Sequence, residues 1–561
     1  MSSFEATPSA NRASAPAMPV PAADTPRFPR QVTIFTLVSV LLVMMLASLD
    51  QTIVGTALPR IAVDLNSNQG YTAVTTAYLL TSTVMIPIYG KLSDLFGRKP
   101  VMIFALSVFL LGSALAGTSQ TMTMLVGFRG FQGLGGGGLI AMSIAIIGDL
   151  FSPRERARWQ GLLGAIFGAT FILGPTAGGY ITDHFTWRWV FYVNLPLGVL
   201  ALLALIFLMP TLRQPVQRAK IDVLGAILLI VGVVPLLLGF NWAGSQYAWN
   251  SPQIIGLLSL AALGTLAFFL YEARLERRGA QPTIEPSLFQ NGVFTVSVLV
   301  TMLSSVALIG SIAFIPLFIQ GVVGSSATNS GTILTPLMLT AITSSIISGF
   351  LVSAFGKYKL IAVSGGVVAA IGAATMLRLG VASTTQDVVV SMLVLGLGIG
   401  FSLSLYNLIV QNAFPTKIGQ ASAAMTFFRQ IGSTIGLATM GSVLSSSYTP
   451  VLPAAVNQSL PPSVHAFVAN PFLVVGLPQL RASFASQGPQ GVAIYNVIAA
   501  AMKSGVAHSL HAVFLVSLIA STASVLVLLF LKELPLTGGP NRVAAALAAE
   551  VPATAEIDAQ L

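Results

Sequence analysis

The stretch GKLSDLFGRK, Gly90 to Lys99, closes a long apolar run and is echoed 259 residues later by GFLVSAFGKYK, Gly349 to Lys359. Gly90 matches Gly349, Leu92 matches Leu351, Phe96 matches Phe355, Gly97 matches Gly356, and Arg98 matches Lys357. A second echo pairs QGLGGG (Gln132 to Gly137) with LGLGIG (Leu395 to Gly400), and Phe151 pairs with Phe414, both at an offset of 263. Separate matches at nearly one offset indicate an internal duplication. The runs around them, such as Ile34 to Ala47 or Ile361 to Leu377, approach or match the roughly 20 residues a helix needs to cross a bilayer. The repeated unit is therefore a bundle of membrane-spanning helices.

Composition agrees with that reading. Of 561 residues, 55% are hydrophobic and 8% are charged, against roughly 25% charged in a soluble domain. The net charge of +10 is spread thinly between apolar runs, with no basic stripe, so it carries topology and excludes a nucleic-acid partner. Cysteine is absent, which removes disulfides and thiolate metal sites. The histidines are His184, His465, His508 and His511; the last two are three apart but lack another ligand type nearby, so no metal site is expected. Residues 1–32, rich in Ala, Pro and Ser, read as a disordered cytoplasmic tail. The first apolar run is too long for a signal h-region, so no cleavable leader is expected.

Runs bounded by Gly, Pro or charge give fourteen spans, starting near 33, 71, 99, 120, 157, 188, 221, 252, 291, 329, 358, 385, 420 and 508. With both termini in the cytoplasm, all but seven of the 27 Lys and Arg residues fall inside: Arg60, Arg188, Arg378, Arg481 and Lys503 lie outside, and Arg129 and Arg429 lie within spans. The expected organisation is all-α and integral to the lipid bilayer. A six-helix bundle over 33–210 is followed by two inserted helices with linkers over 211–290. A second six-helix bundle covers 291–532, and a cytoplasmic tail covers 533–561. The connection 446–507 is too long for an ordinary loop and reads as an external hairpin or cap. Repeated six-helix halves with a site at their interface are a recurrent transporter architecture.

In this context GKLSDLFGRK resembles the signature that follows the second helix of the major facilitator superfamily. The inserted helix pair is similar to the 14-helix drug:proton antiporter branch. The resemblance covers about 33 to 532 and implies a major facilitator fold, working as a monomer without a cofactor and driven by the proton gradient. It implies protons and a small amphiphilic molecule as the partners.

Ionisable groups within spans are costly and mark function by default. Asp50 stands about eight residues from the outer end of span 1, roughly 12 Å deep, and Arg129 about nine residues into span 4, roughly 13 Å deep. They can neutralise one another directly, through water, or through Gln51 or Gln132. Burial disfavours a charged carboxylate and a nearby Arg favours it, so Asp50 reads either as a proton switch or as half of a static ion pair. LDQTIVGTALP (Leu49 to Pro59) resembles the first-helix motif of the 14-helix antiporters. GFRGFQGLGGG (Gly127 to Gly137) resembles their fourth-helix motif, whose Arg is implicated in proton coupling. Gly55 departs from the Asn common there.

GAIFGATFILGPTAGG in span 5 carries Gly164, Gly168, Gly174, Pro175, Gly178 and Gly179, and predicts a closely packed, bendable helix. It resembles the antiporter-specific motif, which implies export over uptake. In the loop after span 2, Gly90 permits close contact, and Asp94 can meet a cation or a helix N-terminus. Arg98 and Lys99 sit where inner-leaflet phosphates are available. By resemblance Gly90, Asp94, Gly97, Arg98 and Lys99 form a conformational latch, asymmetric because Ser353 replaces Asp94 in the second copy. Tyr78, Phe171, Phe401 and Tyr406 are expected to line a substrate cavity, with Arg429 a further candidate able to hold a carbonyl or a lipid phosphate.

GLGGGG (Gly133 to Gly138) lacks the Gly-Lys-Ser/Thr of a phosphate loop, and no catalytic constellation is present, so an enzyme is not expected. The expected activity is proton-coupled export of amphiphilic or cationic toxic compounds across a bacterial cytoplasmic membrane. Asp50 being the one clear mid-membrane acid, monovalent cations or neutral amphiphiles are expected before dications. The alternatives are an exporter dedicated to one metabolite, lipid or antibiotic, a proton-symporting importer, and a non-transporting receptor or scaffold.

Overall fold

Long apolar segments with polar caps wind into helices throughout the computed structural model of the protein. It describes residues 29–536 apart from 66–70, 212–220, 245, 325–326, 404, 454–455, 457–459 and 487. Residues 1–28 and 537–561 of the terminal tails, and the basic residues Arg213, Arg218 and Lys220, fall outside the described residues.

The first half contains α1 (Arg30–Asp64), α2 (Tyr71–Phe96), α3 (Arg98–Gly117), α4 (Met122–Leu150), α5 (Pro153–His184), the short α6 (Trp189–Tyr192) and α7 (Asn194–Leu208). The inserted pair is α8 (Val223–Trp242) and α9 (Pro252–Arg277). The second half contains α10 (Gly292–Leu317), α11 (Ala327–Phe355), α12 (Lys359–Met376), α13 (Thr385–Leu403), α14 (Leu405–Ala413) and α15 (Ile418–Ser447). It ends with α16 (Pro462–Val468), α17 (Leu477–Ala485) and α18 (Gly488–Leu529). Local chemistry sets several starts: the Thr121 side chain accepts from Met124 N ahead of α4, and Ser251 accepts from Ile254 N ahead of Pro252.

Thirteen helices among the described residues are long and apolar enough to span a membrane. The fourteenth span is α15, 30 residues or about 45 Å long. It is more polar because neighbours shield it from lipid: α2, α4, α8, α10 and α18 all pack on it, and Gln420, Ser422 and Thr426 are buried there.

The duplication is visible in packing. In the first half α2 and α3 lie on α4; in the second α11 and α12 lie on α13. Gly97 (φ 92°) and Gly356 (φ 68°), matched in the repeat, both turn the chain out of a helix in backbone conformations that residues with a Cβ rarely adopt. The halves meet where α2 touches α15 and α5 touches α11. Matched glycines permit both contacts. A Cβ on Gly90 would collide with the Ala423 side chain, and one on Gly349 with the Ala157 carbonyl. The inserted α8 packs on α9, α2 and α15, which places it along the seam between the halves.

Two expectations change. The last span begins at Gly488 and not near 508, because α18 runs for 42 residues, about 63 Å. Its first twenty residues belong to the stretch read as a loop. That helix needs no long apolar run at its start, since α17 and the 3₁₀ turn Pro471–Gly476 pack on it. Among its described residues the rest of the stretch folds as a cap: Tyr448 Oη donates to Val468 O at 2.9 Å, and Val474 presses on Gly321 beneath it. Secondly, α9 carries a fully buried acid near its inner end, Glu272, whose Oε2 accepts from Thr283 N at 3.0 Å. Asp50 is therefore not the one buried acid of the helices, contrary to the expectation from sequence.

Candidate functional site

Asp50 on α1 is fully buried and accepts from three side chains. Arg129 Nη1 donates to its Oδ2 at 2.7 Å, while Gln132 Nε2 and Asn194 Nδ2 donate to its Oδ1 at 3.0 and 2.8 Å. Arg129 Nη1 also donates to Gln132 Oε1 at 2.7 Å, a contact that the i, i+3 spacing on α4 makes possible. Asn194 donates in addition to Ser113 Oγ at 3.0 Å, and that hydroxyl donates to the Phe191 carbonyl at 2.9 Å. The Tyr78 ring lies under the guanidinium, 4.2 Å from its carbon to the ring centroid. The two charges thus neutralise each other directly, in a chamber closed by amides and rings. Arg129 Nε has no hydrogen-bond partner among the described residues.

All of these residues belong to the first half. Gln132 joins the pair as the sequence suggested; Gln51 does not, and stands exposed on α1. Asn194 and Ser113 escaped sequence reading. The available signal was a lone amide in the apolar run VNLPLG, at the break between α6 and α7.

At the inner end a second network crosses between the halves. Arg98 is buried and holds Asp94 Oδ1 at 2.8 Å, Asp149 Oδ2 at 2.7 Å and Ser93 Oγ at 2.5 Å. Asp94 Oδ2 accepts from Gln420 N at 2.9 Å, so a first-half carboxylate caps the start of α15 in the second half. Lys99 Nζ donates to the Ile206 and Met209 carbonyls at 2.8 and 2.7 Å, at the C-terminus of α7. Arg98 and Lys99 thus bind protein groups; Asp149 and the α7 carbonyls, invisible to local sequence, supply the negative charge. Beside this network Glu285 pairs with Lys91 of the first half (3.9 Å) and Lys417 of the second (2.5 Å).

The span 5 motif divides between two partners. Gly164 and Gly168 face Ser345 and Ile342 of α11, across the seam. Gly174 and Gly178 face Thr52 and Thr56 of α1, whose Thr52 hydroxyl donates to the Thr170 carbonyl at 3.2 Å. Gly179 has no neighbour within 4 Å of a Cβ, and the helix runs on through Pro175.

Between the halves lies a cavity of about 20 Å³ bounded by Met44, Ile144, Leu163 and Phe167 of the first half and by Asn407 and Arg429 of the second. Gln160 also lines it and donates to Gln411 Oε1 across the seam at 2.8 Å. The aromatic residues expected here are dispersed instead. Tyr78 encloses the ion pair, Tyr406 is buried in the inner core of the second half, and Phe401 fills the space beside Gly365 of α12. Phe171 is 41% exposed. Depth along a span was readable, but the direction each ring faces depends on the neighbouring helices.

The family model of the Major Facilitator Superfamily matches residues 40–437. The multidrug transporter protein MdtP of Bacillus subtilis is 38% identical over 508 residues, covering 89% of this chain and 92% of that protein. Multidrug resistance protein 3 of the same organism is 36% identical over 514 residues, covering 91% and 97%. Among solved structures, the proton:xylose symporter XylE bound to 6-bromo-6-deoxy-D-glucose superposes with a TM-score of 0.56 at 14% identity, over 91% of this chain and 98% of that one. The human organic anion transporter MFSD10 superposes with a TM-score of 0.53 at 16% identity, over 88% and 100%. At such identities the superpositions speak to fold alone.

Proposed function

The chain belongs to the Major Facilitator Superfamily, and from that membership we propose that it exports amphiphilic compounds across a bacterial cytoplasmic membrane in exchange for protons. The reading is supported by its similarity to two bacterial multidrug transporters and by one structural observation above others: a buried carboxylate, Asp50, whose only counter-charge among the described residues is Arg129.

The proposed cycle follows from what protonation does to that chamber. A proton on Asp50 removes the negative charge that neutralises Arg129, whose Nε already lacks an acceptor. An uncompensated guanidinium in a low-dielectric site is strongly unfavourable, so the chamber must rearrange or admit water. The rearrangement has a route to the inner end, because α4 carries Arg129 and Gln132 at one level and Asp149 of the inner network in its last turn. In this scheme protonation from outside loosens the inner network, the halves part there, and substrate enters as the proton leaves. Coupling needs only that proton and substrate favour different arrangements of the halves. The amphiphile would be met by the apolar walls of the cavity between the halves.

Proteoliposomes holding an imposed pH gradient and a rhodamine dye test this reading. Native protein should move dye up its gradient while collapsing the pH gradient. Asp50→Asn, which keeps the shape but cannot exchange a proton at neutral pH, should reduce gradient-driven accumulation at least tenfold. Equal accumulation by both proteins would remove Asp50 from the coupling.

A further inference from the structure

Arg429 is the one charged side chain lining the cavity between the halves, and it is without a carboxylate partner among the described residues. It lies eleven residues into α15, about 17 Å from its inner end, facing the first half and not lipid. That placement removes the lipid phosphate considered for it from sequence. Its guanidinium carbon is 5.5 Å from the centroid of the Phe167 ring, which satisfies part of the cation but offers no hydrogen bond. Among the described residues no acid lines the cavity to complete it. Between Gly292 and Ser447 the sequence holds a single acid, Asp387, which caps its own helix by accepting from Thr384 N at 2.8 Å. Asp50 is occupied by Arg129, Gln132 and Asn194 and is itself wholly buried. An unneutralised guanidinium deep in a membrane protein gives its cavity a positive potential that selects an anion.

We propose that Arg429 receives an acidic group, a carboxylate or sulfonate, carried by the transported amphiphile. A guanidinium takes such a group through paired N–H donors, which a neutral ester cannot match. Met44, Ile144, Leu163 and the Phe167 ring bound the same space and suit the apolar body. Gln160 Oε1 and Asn407 Oδ1, both buried without a hydrogen-bond partner, accept from an N–H or O–H on the compound. At about 20 Å³ the cavity has room for roughly one water, so ligand entry requires the halves to part and the Gln160–Gln411 contact to break. The inference names the substrate class for the export proposed above and rests on that reading for this movement. It differs from the expectation of monovalent cations or neutral amphiphiles before dications, which followed from Asp50 being the one clear mid-membrane acid.

The test is equilibrium binding to purified protein in detergent, using rhodamine B, which carries a free carboxylate, and its ethyl ester, which has the same rings. The native protein should bind the acid about tenfold more tightly, the size expected from a charge-assisted hydrogen bond. Arg429→Gln should bring the ratio close to one by weakening the acid alone. Asn407→Asp, which sets a carboxylate in the cavity that the guanidinium lines, should do the same and keeps the test decisive if Arg429→Gln does not fold. Absence of acid binding, absence of preference in the native protein, or a preference that survives either folded variant overturns the proposal. The ratio is read without a pH gradient, so it is independent of whether Asp50 couples transport to protons.

Discussion

Asp94 and Gln420, 326 residues apart in sequence, are joined by a 2.9 Å hydrogen bond in which the carboxylate of one half accepts the backbone N–H at the start of α15 in the other. The same carboxylate holds Arg98, so one side chain serves both as an ion-pair partner within its own half and as the cap of a foreign helix. Such a cap exists only while the inner ends of the halves are together.

Asp94→Asn should therefore favour the state in which the inner ends part. Loss of a charge-assisted cap is worth about 1–2 kcal/mol, or roughly a tenfold change in the ratio of the two states. The chain has no cysteine, so nitroxides can be placed cleanly at Phe96 and Phe355, exposed positions matched in the repeat. Electron–electron double resonance should show a larger share of long distances in Asp94→Asn than in the native protein; an unchanged distribution would exclude the cap as a latch.

The Asp50–Arg129 pair makes a different forecast for stability than for transport. Arg129→Gln leaves a buried carboxylate without its counter-ion and should cost about 3–5 kcal/mol, read as a fall in thermal unfolding temperature in detergent. Adding Asp50→Asn should recover most of that loss, since both charges are then gone. Proton-coupled transport should remain absent from the double variant. A double variant no more stable than Arg129→Gln would mean that the pair is not the source of the loss.

Close packing at Gly90 predicts a size limit. Gly90→Val would drive a side chain into Ala423 and should lower transport about tenfold or more by blocking closure of the inner end. Ala423→Gly in the same chain should restore part of it. Gly179→Ala, on the same motif helix as Gly164 but with open space around it, should stay within about twofold of native, allowing for a weak helix-propensity gain. Equal damage from Gly90→Val and Gly179→Ala would argue for general sensitivity of glycines in place of contact at the seam.

Glu285, in the segment that follows the inserted helices, touches Lys91 and Lys417 on opposite halves. These groups are partly exposed, so Glu285→Gln should weaken inner closure only about threefold to fivefold, of the order of 1 kcal/mol, and raised salt should erase the difference. The Phe96–Phe355 distances measure this as well. An effect that persists at high salt would show that the glutamate acts through packing.

Local chemistry explains which features could be anticipated. The echo of Gly90–Lys99 in Gly349–Lys359 was readable because both copies need a glycine at positive φ and a glycine at a helix contact, requirements that only one residue type meets. Asp50 and Arg129 were readable because charge within an apolar run is rare at any depth. The polar α15 was found by its boundaries despite its weaker hydropathy, whereas the first turns of α18 were not, since their helix is stabilised by a cap whose own sequence has no membrane signature.

From sequence alone came the class of protein and a span count near fourteen, because water and lipid impose these on the chain residue by residue. Partnership between distant side chains was decided by tertiary structure. Asn194 completes the Asp50 chamber, Asp149 neutralises Arg98, and Arg429 faces an interface without an acid, each through the rotation of one helix against another. Hydropathy fixes how deep a residue lies, but the direction it faces is set by ridges and small residues on helices up to hundreds of positions away in the chain.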